Sequence, residues 1–210
     1  YALGETSAVH DGLRAHYPDA RPFTLTRASW AGQQRTGGVR WSGGIKSTWP
    51  TLRRQVVASL NFGLSGMPYW SEDIGGFFRP DGQYESDDFR QMLTRWFQFG
   101  AFTPVFRAHG TNGGTEYWLY GDELLANVNA TNTLRHRLAP YVYSLARRVE
   151  AEGYTMQRHL AFDFAADAAA VATDDEFLFG PALLVAPVVD AADSARGARD
   201  AYLPATASGA

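Results

Sequence analysis

The order of periodicities along the chain constrains its fold more than any other feature, because helical and strand-like stretches alternate as far as about residue 153. Ser7 to Tyr17 places Val9, Leu13 and Ala15 near helical spacing, with Ser7 as a possible cap, and Pro18 stops it. Arg21 to Thr26 alternates and is β-branched and aromatic, so a strand is expected there. After a glycine-rich stretch, Gly32 to Gly38, come a short strand at Val39–Ser42 and a helix at Ser47–Leu60. Leu52, Val56, Val57 and Leu60 form one stripe of that helix, and Pro50 fits its first turn. Met67–Trp70, Asp87–Phe99, Pro104–Arg107 and Asn132–Gly153 continue the pattern as strand, helix, strand and long helix. Strand–helix alternation at this spacing argues a parallel sheet, because a helix can serve as the crossover that brings the chain back to the same end of the sheet. Four such strands suit half of an eight-stranded barrel or part of an open doubly wound sheet, and periodicity does not separate the two.

From residue 154 the pattern changes. Phe177 to Val189 is strand-like with turn punctuation, which predicts the start of a β-rich, sandwich-like domain over 154–210. The chain of 210 residues begins without a methionine and ends in Pro204-Ala205-Thr206-Ala207-Ser208-Gly209-Ala210, a tail with no obvious terminal element. Both ends read as internal to a longer protein, so the rest of a parent chain is an expected partner.

Composition narrows the functional classes. A net charge of −3 gives no reason to expect nucleic acid or an anionic membrane surface as partner. No apolar run is long enough to span a bilayer. The absence of cysteine excludes thiol chemistry without fixing a compartment. No cluster of His and carboxylates has metal-ligand spacing, and Gly32 to Gly38 does not match a phosphate-binding loop, so no cofactor is expected. Aromatic residues make up 14%. Most of them belong in the core, and a minority suit the apolar C–H faces of sugar rings.

In parallel α/β folds chemistry gathers at the C-terminal ends of the strands. The residues at those ends are Arg27, Trp41, Asp73, Phe77 and His109, contributed by four different strands. Singly, each reads as a surface ion-pair partner, a packed ring or a structural histidine; their repeated position makes them candidates for one site.

Three motifs then go together. Leu25-Thr26-Arg27, with Gly32, Arg35, Arg40-Trp41-Ser42-Gly43-Gly44-Ile45 and Trp49 behind it, is the first. Asp73-Ile74-Gly75-Gly76-Phe77 is the second, and Phe106-Arg107-Ala108-His109-Gly110 the third. In this order and spacing the chain resembles glycoside hydrolase family 31, retaining α-glycosidases built on a (β/α)8 barrel with β-sandwich domains around it. The resemblance implies that residues 1–153 are the later half of the barrel and 154–210 the start of a C-terminal β-rich domain. It implies that Arg27 and His109 hydrogen-bond sugar hydroxyls, that Trp41 and Phe77 line the cleaved subsite, and that Asp73 lies beside it. The substrate would be an oligosaccharide ending in an α-xylosyl residue or, as second choice, an α-glucosyl residue, because Tyr69–Phe78 and Trp96–Phe102 look more like bacterial α-xylosidases.

The departure from the pattern is at Gly44, where the family carries its acid/base aspartate. Retaining hydrolysis uses two carboxyl groups about 5–5.5 Å apart, one as nucleophile and one as acid and then base. Glycine serves neither role, and the family's nucleophile belongs to a strand expected before Tyr1. As given, the chain is expected to be inactive, as an engineered knockout, a degenerate carbohydrate-binding relative, or a one-base sequence error.

Overall fold

The computed structural model describes residues 1–205; residues 206–210, which form most of the tail expected to lack a terminal element, lie outside the described residues. The fold is mixed α/β. A parallel sheet of β1 (Leu25–Thr26), β2 (Val39–Trp41) and β3 (Trp70–Ser71) is ordered 1-2-3, with Leu25 opposite Val39 and Arg40 opposite Trp70. An antiparallel sheet of β4 (Gln157–His159), β5 (Phe177–Phe179) and β6 (Leu183–Val185) follows. Neither closes into a barrel.

Helix α1 (Ala2–His16) precedes β1, α2 (Trp49–Leu64) joins β2 to β3, and α3 (Asp87–Gly100) follows β3. Local chemistry sets where the last two begin: Thr48 Oγ1 accepts from the Thr51 amide, and Ser86 Oγ from the Phe89 amide. Helix α1 starts earlier than expected. Ser7 lies inside it rather than capping it, and Gln33 Nε2 ties its first turns down by donating to Ala2 O and Thr6 Oγ1.

Two expectations about elements fail for identifiable reasons. The strand at Pro104–Arg107 is reduced to a single parallel bridge, Ile74 with Ala108, supported by the Ile74 amide donating to Arg107 O. The chain after Ile74 turns through Gly75 and Gly76, both at positive φ, so no longer ladder can form. The single long helix at Asn132–Gly153 is two helices, α4 (Asp122–Arg137) and α5 (Ala139–Glu152). Pro140 has no amide hydrogen to continue the first ladder, so the helix restarts around it. Two short helices, α6 (Ala168–Ala172) and α7 (Ala191–Arg196), complete the C-terminal part.

One core serves both sheets. Leu52, Val56 and Leu60 of α2 and Leu93, Trp96 and Phe99 of α3 are packed with Phe177 and Phe179 of β5, whose rings meet Phe99 and Phe102 edge-on. Polar ties reinforce it. Arg53 of α2 pairs with Asp174 and Asp175, and Arg199 pairs with Asp175 and the buried Glu176. No helix among the described residues is long and apolar enough to cross a membrane.

Just beyond β3 lies a buried acid, Glu72, whose two carboxyl oxygens have no hydrogen-bond partner among the described residues. Burial pushes its pKa from the usual 4.5 up to about 8, against a smaller opposing pull from Arg107. Trp70 Nε1 is near enough to add a slight lowering but makes no hydrogen bond of ordinary geometry. A carboxyl raised in this way holds its proton more tightly folded than unfolded, so it favours the fold at low pH and that advantage is lost as pH rises. Stability should therefore fall between pH 4.5 and about 8, and Glu72→Gln should remove that part of the slope, as read by unfolding midpoints at pH 5 and 8. The open sheet gives a second expectation. The outer edge of β1 has no partner strand among the described residues, and Phe23 and Trp30 near it are two-thirds exposed. The 210-residue chain alone should dimerise or aggregate in light scattering; a sharp monomer with cooperative unfolding would contradict this.

Candidate functional site

The site is assembled around the backbone of Phe77. The Phe77 and Phe78 amides both donate to Ile45 O, at 2.8 and 2.9 Å, which fastens their loop to the residue after Gly44. The Phe77 carbonyl accepts from the Thr111 amide at 2.8 Å and from Thr111 Oγ1 at 3.0 Å, which fastens it to the loop after His109. Gly76 makes the approach possible: a Cβ there would lie 2.6 Å from Ser47 Cα, so no other residue fits. Three motifs distant in sequence thus meet at one residue.

Their side chains follow. The Phe77 ring centroid is 5.3 Å from that of His109 and lies beside Gly44. Arg27, at the end of β1 and exposed, lays its side chain across Gly43, which has φ +76° and no room for a Cβ. Trp41 is half-buried at the end of β2 and enters through the sheet, paired with Ser71, two residues before Asp73. Gly44 is exposed and outside the left-handed region. A Cβ there would come to 3.0 Å from the Phe77 ring and 3.3 Å from that of Phe78, so a larger residue needs those rings to give slightly.

Asp73 lies beneath, completely covered. Arg107, on the neighbouring strand segment, pairs with its Oδ1, while Oδ2 has no protein partner. Burial raises the Asp73 pKa, opposed chiefly by the charge and hydrogen bond of Arg107 and then by His109 and Arg79. This ion pair was missed as a feature of the sequence, although Arg107 stands in the third motif. The single bridge between Ile74 and Ala108 brings the residues before them together, which spacing along the chain does not reveal. Glu72 and Arg79, also missed, carry no sequence signal beyond being charged residues in a glycine-rich run.

Chemically, the arrangement offers a cation, an imidazole and aromatic faces around a floor that holds a paired carboxylate. Position 44 supplies no acid. Among the described residues no group of three or more His, Cys, Asp or Glu side chains is placed to hold a metal ion.

Comparison with known proteins finds relatives along nearly the whole chain. Residues 1–145 match the model of the glycosyl hydrolases family 31 TIM-barrel domain, and 153–208 that of the family's C-terminal domain. The chain is 42% identical to the α-xylosidase of Saccharolobus solfataricus over 188 residues, covering 90% of this chain and 25% of that protein. It is 36% identical to human neutral α-glucosidase AB over 208 residues, covering 97% of this chain and 21% of that protein. It thus spans a quarter or less of the length of these curated relatives. Among solved structures, a family 31 α-xylosidase from a soil metagenome complexed with xylose superposes with a TM-score of 0.86 at 37% identity, over 91% of this chain and 31% of the other. A Flavobacterium johnsoniae dextranase of the same family gives 0.85 at 32% identity, over 90% and 24%. With family models covering both of its sheets, this chain belongs to glycoside hydrolase family 31.

Proposed function

We propose that this chain forms the later-strand side of the sugar site of a retaining α-glycosidase acting on terminal α-xylosyl or α-glucosyl residues, and that by itself it binds sugar without cleaving it. The observation that carries this reading is the convergence of the Gly44 and His109 loops on Phe77, with Arg27 laid across the adjacent Gly43. Arg27 and His109, both exposed, would donate to sugar hydroxyls; Trp41 and Phe77 would cover C–H faces; Asp73, fixed by Arg107, would underlie them. The α-xylosidases among the similar proteins favour xyloside as the first substrate to try, with glucoside second.

The division after Gly153 belongs to the same reading. It is supported by the left-handed cap at Gly153 that ends α5 and by the limits of the two matched family domains. The rest of the parent chain would supply the nucleophile. With Gly44 in place of a carboxylic acid, protonation of the leaving group is lost, a step worth about 100- to 10,000-fold. The rings of Phe77 and Phe78 stand beside Gly44 and would need to give only slightly for a larger residue there.

Calorimetric titration with methyl α-xyloside and methyl α-glucoside should show weak saturable binding, and an aryl α-xyloside should be hydrolysed no faster than in buffer. Arg27→Ala and His109→Ala should each weaken binding about tenfold, the effect of one lost charged or polar hydrogen bond. Unchanged binding in both variants would remove the sugar site as assigned. Gly44→Asp should fold, since its backbone is not in the left-handed region, with only Phe77 and Phe78 shifting.

A further inference from the structure

Arg79 takes no part in the sugar contacts above, yet it lies directly behind them. It is 5% exposed and has no carboxylate within ion-pair distance among the described residues. Its guanidinium donates instead to Ile74 O at 3.0 Å, to Gly76 O at 3.3 Å and to Tyr120 Oη at 2.6 Å. The faces of Phe89 and Tyr120 lie 5.9 Å away and supply the electron-rich surroundings that a counterion would otherwise give. Glycines on two loops make room for it: a Cβ at Gly75 would sit 3.1 Å from Nη2, and one at Gly110 would sit 2.5 Å from Nε. The network continues into the second loop. Tyr120 Oη donates to Gln83 Oε1, Gln83 Nε2 donates to Asn112 O, and Asn112 Nδ2 donates back to Arg79 O.

We propose that Arg79 is a positioning residue that locks the 74–79 and 109–114 loops into one unit, so that Phe77 and His109 are presented as a fixed pair. The reason for an arginine is geometric. The turn through Gly75 and Gly76 splays the Ile74 and Gly76 carbonyls, which need donors once buried. A planar fork reaches both while a third N–H reaches Tyr120; a lysine keeps the charge but does not span three diverging acceptors. The consequence for sugar binding rests on the site proposed above, whereas the coupling of the loops does not.

The test uses the full chain, with isotope-edited NMR and amide hydrogen exchange on Arg79→Gln, Arg79→Lys and Tyr120→Phe. In Arg79→Gln, exchange at the 74–79 and 110–114 amides should quicken together by about tenfold or more, while α2 and α3 keep their protection. The His109 imidazole resonances should lose the ring-current shift imposed by Phe77, and methyl α-xyloside should bind about tenfold more weakly. Arg79→Lys should restore part of each signal, and Tyr120→Phe should move the loops the same way by less. Unchanged loops and imidazole in Arg79→Gln would overturn the proposal, as would a uniform loss of protection reaching α2 and α3. If Arg79→Gln proves insoluble, Tyr120→Phe decides alone, and unchanged loops there overturn it. Loops that loosen together in a chain whose unaltered form binds no sugar would support the coupling and remove the sugar site.

Discussion

The two amide donations from Phe77 and Phe78 to the Ile45 carbonyl are the contact on which the site depends. Parallel strands deliver their ends to one side of the sheet, but they leave the loops beyond those ends free to diverge. Here the loop after β3 is pinned to the loop after β2 by that carbonyl, and to the next loop by Thr111. The close approach is affordable only because Gly76 has no side chain to meet Ser47. Everything else, including the lie of Arg27 over Gly43 and the stacking of Phe77 toward His109, is arranged around this junction.

The fold class was legible in the sequence. Alternating periodicities indicated the parallel sheet, and the changed pattern after residue 153 indicated a different, β-rich architecture. The strand ends marked Arg27, Trp41, Asp73, Phe77 and His109 as candidates, and they stand as the proposed sugar site. What escaped reading was set by contacts across the fold. The break between α4 and α5 is signalled by Pro140, but the start of α4 at Asp122 follows Gly121, whose positive φ is a tertiary turn rather than a periodic cue. The ladder at Pro104–Arg107 shrank to one bridge because the glycine pair after Ile74 bends its partner away. The Asp73–Arg107 pair follows from the single Ile74–Ala108 bridge, which no periodicity announces.

The antiparallel sheet is not an appendage. Phe177 and Phe179 fill the same core as Trp96 and Leu60, and Arg53 reaches from α2 to Asp174 and Asp175. The helices behind the site are therefore held on one side by the strands and on the other by the second sheet. This explains how an open parallel sheet of very short strands presents well-placed loops: the rigidity comes from α2 and α3, clamped between two layers.

Gly44 stands apart from this mechanical economy. Its neighbour Gly43 and the pair Gly75–Gly76 are required by their backbone angles, but Gly44 adopts a conformation open to any residue. Recognition and chemistry are accordingly written into separate layers of the same loop. The loop's shape resides in main-chain contacts, while the place proposed for the acid is a single Cα whose backbone admits other residues. On the proposed assignment, and with a nucleophile supplied by the rest of the parent chain, cleaving a sugar and merely holding it would differ by one substitution at a position whose backbone is the same in both states.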